Sequence, residues 1–193
     1  ITLETSSSNV IISNNISTSG SSHNNPGIYL GSSLSNNITS NIIFTSGISF
    51  NRGIIMSSSS SNNIKLNTIS TSGGINSSVF YLYASSLDNS LTNNTILNFT
   101  GYQLYFASVS INGTYLIDQP ISNYTFTGAG GTVYFKDSRY GEIKFLQAIN
   151  GSGNNLTRDV IILNNSVSVN SSANIGLNRS ANITLYNIGE RGF

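Results

Sequence analysis

The sequence repeats itself with a period of about 26–27 residues over roughly its first hundred positions. The apolar columns of the repeat are Ile11, Ile38, Ile64 and Leu91; Ile16, Ile43, Ile69 and Ile96; Ile1, Ile28, Ile54 and Tyr81; and Leu3, Leu30, Met56 and Tyr83. The polar columns are Asn9, Asn36, Asn62 and Asn89; and Asn14, Asn41, Asn67 and Asn94. A repeat of this length is typical of a chain that stacks one structural unit on the next.

Each repeat contains two or three short β-branched segments separated by Asn, Ser and Gly, which indicates strands and turns and not helices. The sequence therefore predicts an all-β fold, a right-handed parallel β-helix of about four coils over residues 1–111. Equivalent residues would lie about 4.8 Å apart on successive coils. The apolar columns would fill the interior, and the asparagine columns would form hydrogen-bonded ladders at the corners. Asparagine also tolerates the left-handed backbone that a sharp corner demands.

The pattern S-N-N-I-x-x-N-x-I occurs at 61–69 and, with small variations, at 8–16, 35–43 and 88–96. It resembles the parallel β-helix repeats of NosD-like proteins and of large archaeal cell-surface proteins. The segment LNRSANITLYNI at 177–188 is similar to stretches of giant archaeal surface proteins, including hook-bearing filament proteins. The resemblance covers roughly residues 1–105. It implies the fold but not the function, because this repeat serves enzymes, carbohydrate binders and scaffolds alike.

Residues 112–193 lose the repeat but keep β-strand patterns, as in TVYFKDSRYGEIKFL at 132–146. Two arrangements fit this half. One is an irregular continuation of the solenoid, in which Ile143 and Phe145, Ile161 and Leu163, and Ile183 and Leu185 face inward. The other is a capping module built from antiparallel hairpins. The chain opens with strand-like ITLETSSSN and no signal peptide, so we expect a segment of a longer protein.

The composition argues against several functions. Only 8% of the residues are charged and the net charge is +1, which excludes an electrostatic nucleic-acid binder. Cysteine is absent, His23 is the single histidine, and no apolar run reaches the ~18 residues of a membrane span. We therefore expect no metal site, no cofactor, no nucleic-acid partner and no membrane span in this segment.

The carboxylates do not indicate an active site either. Glu4 and Asp88 are the only ones in the four regular coils and occupy different columns, whereas paired-carboxylate hydrolysis needs two acids within about 5–10 Å. The second half has acids that could converge on a site and bases that could pair with them: Asp118, Asp137, Glu142 and Asp159; Lys136, Arg139, Lys144 and Arg158. We interpret these as solvated turn residues and surface ion pairs, and we expect no enzyme activity.

One motif remains, the glycosylation acceptor N-x-S/T. It begins at Asn15, Asn37, Asn76, Asn93, Asn98, Asn112, Asn123, Asn150, Asn155, Asn164, Asn170, Asn178 and Asn182. Chance supplies some of these in a chain so rich in Asn, Ser and Thr. From residue 112 onward, however, eight of twelve asparagines begin a sequon although Ser and Thr are sparser there. We therefore expect covalent N-glycans.

These features predict a structural, N-glycosylated protein of the cell surface or of an extracellular filament, of archaeal type, that self-associates head to tail or in a lattice. The alternative is a carbohydrate-binding or carbohydrate-processing β-helix. Its binding surface could include the aromatic residues Tyr29, Tyr81, Tyr83, Tyr102, Tyr105, Phe80 and Phe106. We expect most of these rings to fill the interior instead, because aromatic side chains are so often buried.

Overall fold

The computed structural model describes residues 1–21, 24–74, 76–108, 110–186 and 188, with the backbone alone for 128–130. His23 lies outside the described residues. The strands, in chain order, are β1 (Thr2–Glu4), β2 (Val10–Ile12), β3 (Asn15–Gly20), β4 (Ile28–Gly31), β5 (Asn37–Thr39), β6 (Ile42–Gly47), β7 (Arg52–Ser57), β8 (Asn63–Lys65), β9 (Thr68–Thr71), β10 (Ser78–Tyr83), β11 (Ser90–Thr92), β12 (Thr95–Ile96), β13 (Tyr102–Phe106), β14 (Thr114–Ile117), β15 (Tyr124–Gly131), β16 (Val133–Asp137), β17 (Gly141–Phe145), β18 (Ile149–Gly153), β19 (Val160–Leu163), β20 (Ser166–Val169) and β21 (Ala181–Leu185). One helical turn, α1 (Leu156–Asp159), precedes β19, and a 3-10 turn spans Ile175–Leu177.

The first twelve strands form three parallel sheets, and the chain visits each sheet once per coil. Sheet 1 has the order β1-β4-β7-β10-β13-β15-β18, sheet 2 the order β2-β5-β8-β11-β14-β16-β17-β21, and sheet 3 the order β3-β6-β9-β12. In sheet 2, Ile38 pairs with Ile64 and Ile64 pairs with Leu91, as the repeat requires. The predicted β-solenoid, with coils of about 26 residues, is confirmed.

The interior is a stack of equivalent apolar side chains. Ile38, Ile64 and Leu91 have no exposed surface, while their strand neighbours Asn63 and Lys65 are half-exposed. This alternation is why each coil needs only a few apolar residues. Burying one such side chain stabilises the fold by about 1.5–3 kcal/mol, and the stack repeats that contribution on every coil.

The repeat fades because the coil loses its third side. Sheet 3 ends at β12, and the chain then passes from β14 to β15 without a third strand. Leu104 pairs in parallel with Tyr124 and Leu116 with Phe135, so each of these coils is shorter than a regular one. Parallel winding thus continues beyond residue 111, as far as β16, on two sheets.

Antiparallel strands then close these two sheets. β17 folds back on β16 as a hairpin and pairs with β21, and β18 pairs antiparallel with β15. Ile143 and Phe145 of β17 are buried, whereas Leu163 and Ile183 are each more than half exposed. The expectation that Leu163 and Ile183 face inward is wrong, because β19 pairs only with β20 and β21 is the edge strand of sheet 2.

Candidate functional site

The two asparagine columns form continuous hydrogen-bonded ladders. In each step, one Asn Oδ1 accepts from both the backbone N–H and the Nδ2 of its equivalent one coil earlier, at 2.9 and 3.0 Å for Asn41 on Asn67. The Nδ2 of Asn67 also donates to the carbonyl of Ile38 at 2.9 Å. The side chains engaged in this way are Asn9, Asn36, Asn62 and Asn89; and Asn14, Asn41, Asn67 and Asn94.

The ladder asparagines do not themselves take the left-handed backbone. That conformation belongs to the residue immediately before each one, such as Ser61 (φ 57°) before Asn62 and Leu66 (φ 56°) before Asn67. The left-handed backbone that the corner demands is thus supplied by the residue before the asparagine and not by the ladder asparagine itself. The preceding residue turns the chain with its positive φ. The asparagine that follows has a negative φ, and its side-chain amide points along the solenoid axis to the next coil.

The second ladder ends on a residue that the repeat does not reveal. Asn94 donates its backbone N–H and its Nδ2 to Oε1 of Gln119, at 2.8 and 2.9 Å. Gln119 Nε2 in turn donates to the Asn94 carbonyl at 3.1 Å. Asp118, the residue before Gln119, has a positive φ like the residues before the ladder asparagines. The available sequence signal was this polar pair, which follows Asn93 and Asn94 at nearly the spacing of the repeat.

A third, shorter file consists of serines. The backbone N–H of Ser33 donates to Ser59 Oγ at 3.0 Å, and that of Ser59 donates to Ser86 Oγ at 3.4 Å. All three side chains are fully buried. The sequence did not predict this file, because serine is so abundant in these segments that a column of aligned serines cannot be recognised.

The sequons separate cleanly from the ladders. None of the thirteen sequon asparagines is buried; each is exposed or half-exposed. Conversely, the buried asparagines of the described residues are Asn36, Asn41, Asn51, Asn62, Asn67, Asn89, Asn94 and Asn174, and none begins a sequon. Oδ1 of Asn155 caps α1 by accepting from the Arg158 N–H, so its Nδ2, the atom that a glycan modifies, is not used there.

Two of the four carboxylates of the second half line one groove. The groove has a volume of about 400 Å³ and an apolar floor that includes Leu116, Phe135 and Val160, with Asp118 and Asp137 at its rim. Its size falls within the range of small-molecule pockets.

Both rim carboxylates already have local donors. Asp118 accepts from the backbone N–H and the Oγ of Ser138, at 2.8 and 2.6 Å. Asp137 accepts from the Arg139 guanidinium at 3.1 Å and from the Tyr140 N–H at 3.2 Å. Burial raises the pKa of Asp137, but these hydrogen bonds outweigh it and hold the pKa below its usual value. An ionised, turn-capping carboxylate is a poor general acid.

Of the other two acids, Glu142 forms a surface ion pair with Lys144 at 3.0 Å. Asp159 is 2% exposed, so its interpretation as a solvated turn residue is wrong. The Tyr124 hydroxyl donates to Asp159 Oδ2 at 3.2 Å and accepts from Asn174 Nδ2 at 3.1 Å. Burial raises the pKa of Tyr124 to about 12. These two hydrogen bonds hold the cap to sheet 1, while Asp159 Oδ1 is buried without a hydrogen bond.

The aromatic residues divide between the interior and the outer side of sheet 1. Phe80 and Phe106 are fully buried in the interior, as expected. The other five rings are half-exposed on the outer side of sheet 1, and we call them the aromatic face: Tyr29, Tyr81, Tyr83, Tyr102 and Tyr105. The expectation that most of the seven fill the interior is wrong, because Phe80 and Leu82 pair with the interior residues Ile54 and Met56, which turns Tyr81 and Tyr83 to the opposite side of the strand.

Among the described residues, no three His, Cys, Asp or Glu side chains cluster closely enough to hold a metal ion. None of the described helices has the length and apolar character needed to cross a membrane. No protein-family model, curated protein or solved structure matches the chain.

Proposed function

We propose that this chain is a segment of an N-glycosylated structural protein of the cell surface or of an extracellular filament, and that it is not an enzyme. The observation that carries the proposal is the separation of two sets of asparagines. The ladder asparagines between coils are buried and hold successive coils together, while the thirteen asparagines of the glycan-acceptor motifs are exposed or half-exposed. Each set serves one need of an external scaffold, namely stiffness and a hydrated, protected surface.

Stiffness follows from the coil-to-coil contacts. Every regular coil is joined to the next by strand pairing in three sheets, by stacked apolar side chains and by two asparagine ladders. Such a rod does not depend on surface charges, which are screened by salt. The low charge of this chain is compatible with that role in an external medium of variable ionic strength.

The first coil offers a surface for extension. β1, β2 and β3 each pair on one side only, and Val10 and Ile12 are 63% and 54% exposed. Oδ1 of Asn9 and of Asn14 accepts no hydrogen bond from any described residue, although the equivalent atoms inside the solenoid accept two. We propose that another β-coil, from the same polypeptide or from a second copy, stacks here in the ladder register.

We also propose a relationship to a known kind of repeat. The S-N-N-I repeats and the sequons together support a relationship to NosD-like repeats of archaeal surface proteins. Carbohydrate processing has less support, because the two carboxylates of the groove serve as turn caps. Carbohydrate binding is favoured by the aromatic face.

The mass of the native protein tests the proposal. We expect an intact mass that exceeds the sequence mass by sugar-sized increments. Asn164→Gln should remove one increment if that site is occupied, and Asn165→Gln should not, since both are exposed neighbours in one turn and only Asn164 begins a sequon. Electron microscopy of the same material should show fibres or a lattice. A mass equal to that of the bare chain, together with dispersed monomers, would contradict the proposal.

A further inference from the structure

The aromatic face surrounds a buried cation. Arg52, at the start of β7, is 9% exposed, and its guanidinium lies 3.8 Å from the centre of the Tyr81 ring and 5.4 Å from that of Phe50. Nη1 donates to Asn24 Oδ1. Burial lowers the pKa of Arg52, yet its ordinary value lies so far above neutrality that the side chain stays charged at pH 7.

This charge has no anionic partner among the described residues. The ion pairs of this part of the chain are Arg139–Asp137 and Lys144–Glu142, and neither involves Arg52. Nε of Arg52 is buried without a hydrogen bond, and so is the hydroxyl of Ser78, which pairs with Arg52 across β7 and β10. A buried, unpaired charge destabilises a protein on its own, whereas an arriving anion would form charge-assisted hydrogen bonds with it.

The rings around Arg52 form one continuous surface. The Tyr81 and Tyr105 ring centres are 5.1 Å apart, Tyr102 and Tyr105 are 5.5 Å apart, and Tyr81 and Tyr83 are 5.5 Å apart. Tyr29, Ile55, Tyr81 and Tyr105 form one file that crosses the strands, with coils about 4.8 Å apart, so Tyr29 is separated from Tyr81 by the coil of Ile55. An elongated ligand lying along the solenoid axis would meet a ring on most coils.

We propose that the aromatic face binds an acidic saccharide, with a carboxylate at Arg52 and sugar rings against the tyrosines. A saccharide fits because its C–H faces pack on aromatic rings while its hydroxyl groups meet the tyrosine hydroxyls. A peptide fits less well, because the sheet backbone beneath the face is already paired and offers it no ladder. A nucleic acid would require several cations, and Arg52 is the one cation among the described residues of this face. The inference does not depend on attached glycans or on the scaffold role.

The test uses the 193-residue chain produced without glycosylation, so that its own sugars do not compete. The chain has no tryptophan, so its intrinsic fluorescence comes from tyrosine and reports on ring contacts directly. The probes are galacturonate and mannuronate oligomers, the methyl ester of the galacturonate oligomer, and poly-glutamate, titrated by fluorescence and calorimetry. We expect an acidic oligomer to bind, and we expect the affinity of its methyl ester to be lower by about tenfold or more.

Variants locate the site. Tyr105→Ala and Arg52→Lys should each weaken binding of the acidic oligomer by about tenfold, because the first removes a ring and the second removes the planar guanidinium. The matched control is Tyr134→Ala, which removes a half-exposed ring from the Tyr115–Tyr134 pair on sheet 2 and should leave binding unchanged. Thermal melts identify any variant that does not fold, and Tyr102→Ala then replaces it.

Four outcomes would overturn the inference. Equal binding of the acid and its ester would show that Arg52 does not recognise the carboxylate. Comparable binding of poly-glutamate would assign the face to an acidic protein instead. Absence of binding to every acidic oligomer, or equal losses in Tyr134→Ala and Tyr105→Ala, would remove the site altogether.

Discussion

Replacing one interior ladder asparagine tests the physical basis of the solenoid. Asn67 is fully buried, and its Oδ1 accepts from the backbone N–H and the Nδ2 of Asn41. Its own Nδ2 donates to Ile38 and Asn94. Asn67→Ala would leave the Asn41 N–H buried without an acceptor, at about 1–3 kcal/mol, and would also remove the bonds that Asn67 donates, at about 0.5–1.5 kcal/mol each. We expect a total loss of about 3 kcal/mol.

Thermal unfolding monitored by circular dichroism measures this loss. For a chain of this length, about 1 kcal/mol corresponds to about 2–4 °C, so the melting temperature of Asn67→Ala should fall by about 6–12 °C. Asn63→Ala is the matched control, in the same coil. Its side chain is half-exposed and makes one hydrogen bond, at 3.3 Å to Asn37, so we expect a change within about 0.5 kcal/mol.

Position in the ladder matters as well. Asn14 is the first asparagine of the same ladder, and its Oδ1 accepts no hydrogen bond from the described residues. Asn14→Ala therefore leaves no described N–H group without its acceptor. We expect a loss of about 1 kcal/mol there. If Asn67→Ala, Asn14→Ala and Asn63→Ala were equally stable, the ladder would contribute nothing beyond composition, and the reasoning would be refuted.

An acidic replacement adds a pH signature. In Asn67→Asp, a carboxylate oxygen would face the Ile38 carbonyl and Asn94 Oδ1, so burial and these acceptors would raise the pKa of the new side chain in the folded state. The folded protein then binds more protons than the unfolded chain. Stability is therefore highest below the unfolded pKa and is lost as the pH rises through the folded pKa. Urea melts should show greater stability at pH 3 than at pH 7, relative to the parent.

Three further changes probe other parts of the fold. Gln119→Ala removes the acceptor of the Asn94 N–H and should lower the free energy of unfolding by about 2 kcal/mol in urea melts. The pKa of Tyr124 is raised by burial from 10.0 to about 12, so stability should be retained below pH 10 and fall as the pH approaches 12; Tyr124→Phe should abolish that alkaline slope. Gly101→Ala should cost about 2 kcal/mol or more, because Gly101 has φ +84° and an added Cβ would lie 2.2 Å from the Ser77 carbonyl oxygen, and a matched thermal melt measures it.

Much of the regular solenoid could be predicted because its contacts are between equivalent residues. When Ile64 must lie over Ile38, and Asn62 over Asn36, the interaction partners repeat in the sequence at the coil length. A pattern with the period of one coil thereby encodes the contacts between residues on successive coils. The sequons could be found from their local motif, and the structure agrees with that division: Asn36 of the ladder is buried, and its neighbour Asn37 in a sequon is half-exposed.

The remaining features depend on contacts that have no period. Gln119 can end a ladder only because the shortened coil brings its longer side chain beneath Asn94. Arg52 lies among tyrosines from different coils, and Asp159 meets Tyr124 from a distant part of the sequence. The chain alone therefore determined the coil, its asparagine files and most of its stacked core, because these recur in register; in sheet 1 the fourth coil departs from the period by one residue, with Phe80 and Leu82 in the core. The end of the third sheet, the antiparallel cap and the outward aromatic face were decided by tertiary structure. Each depends on contacts that occur once in the molecule, so no periodic pattern in the sequence predicts them.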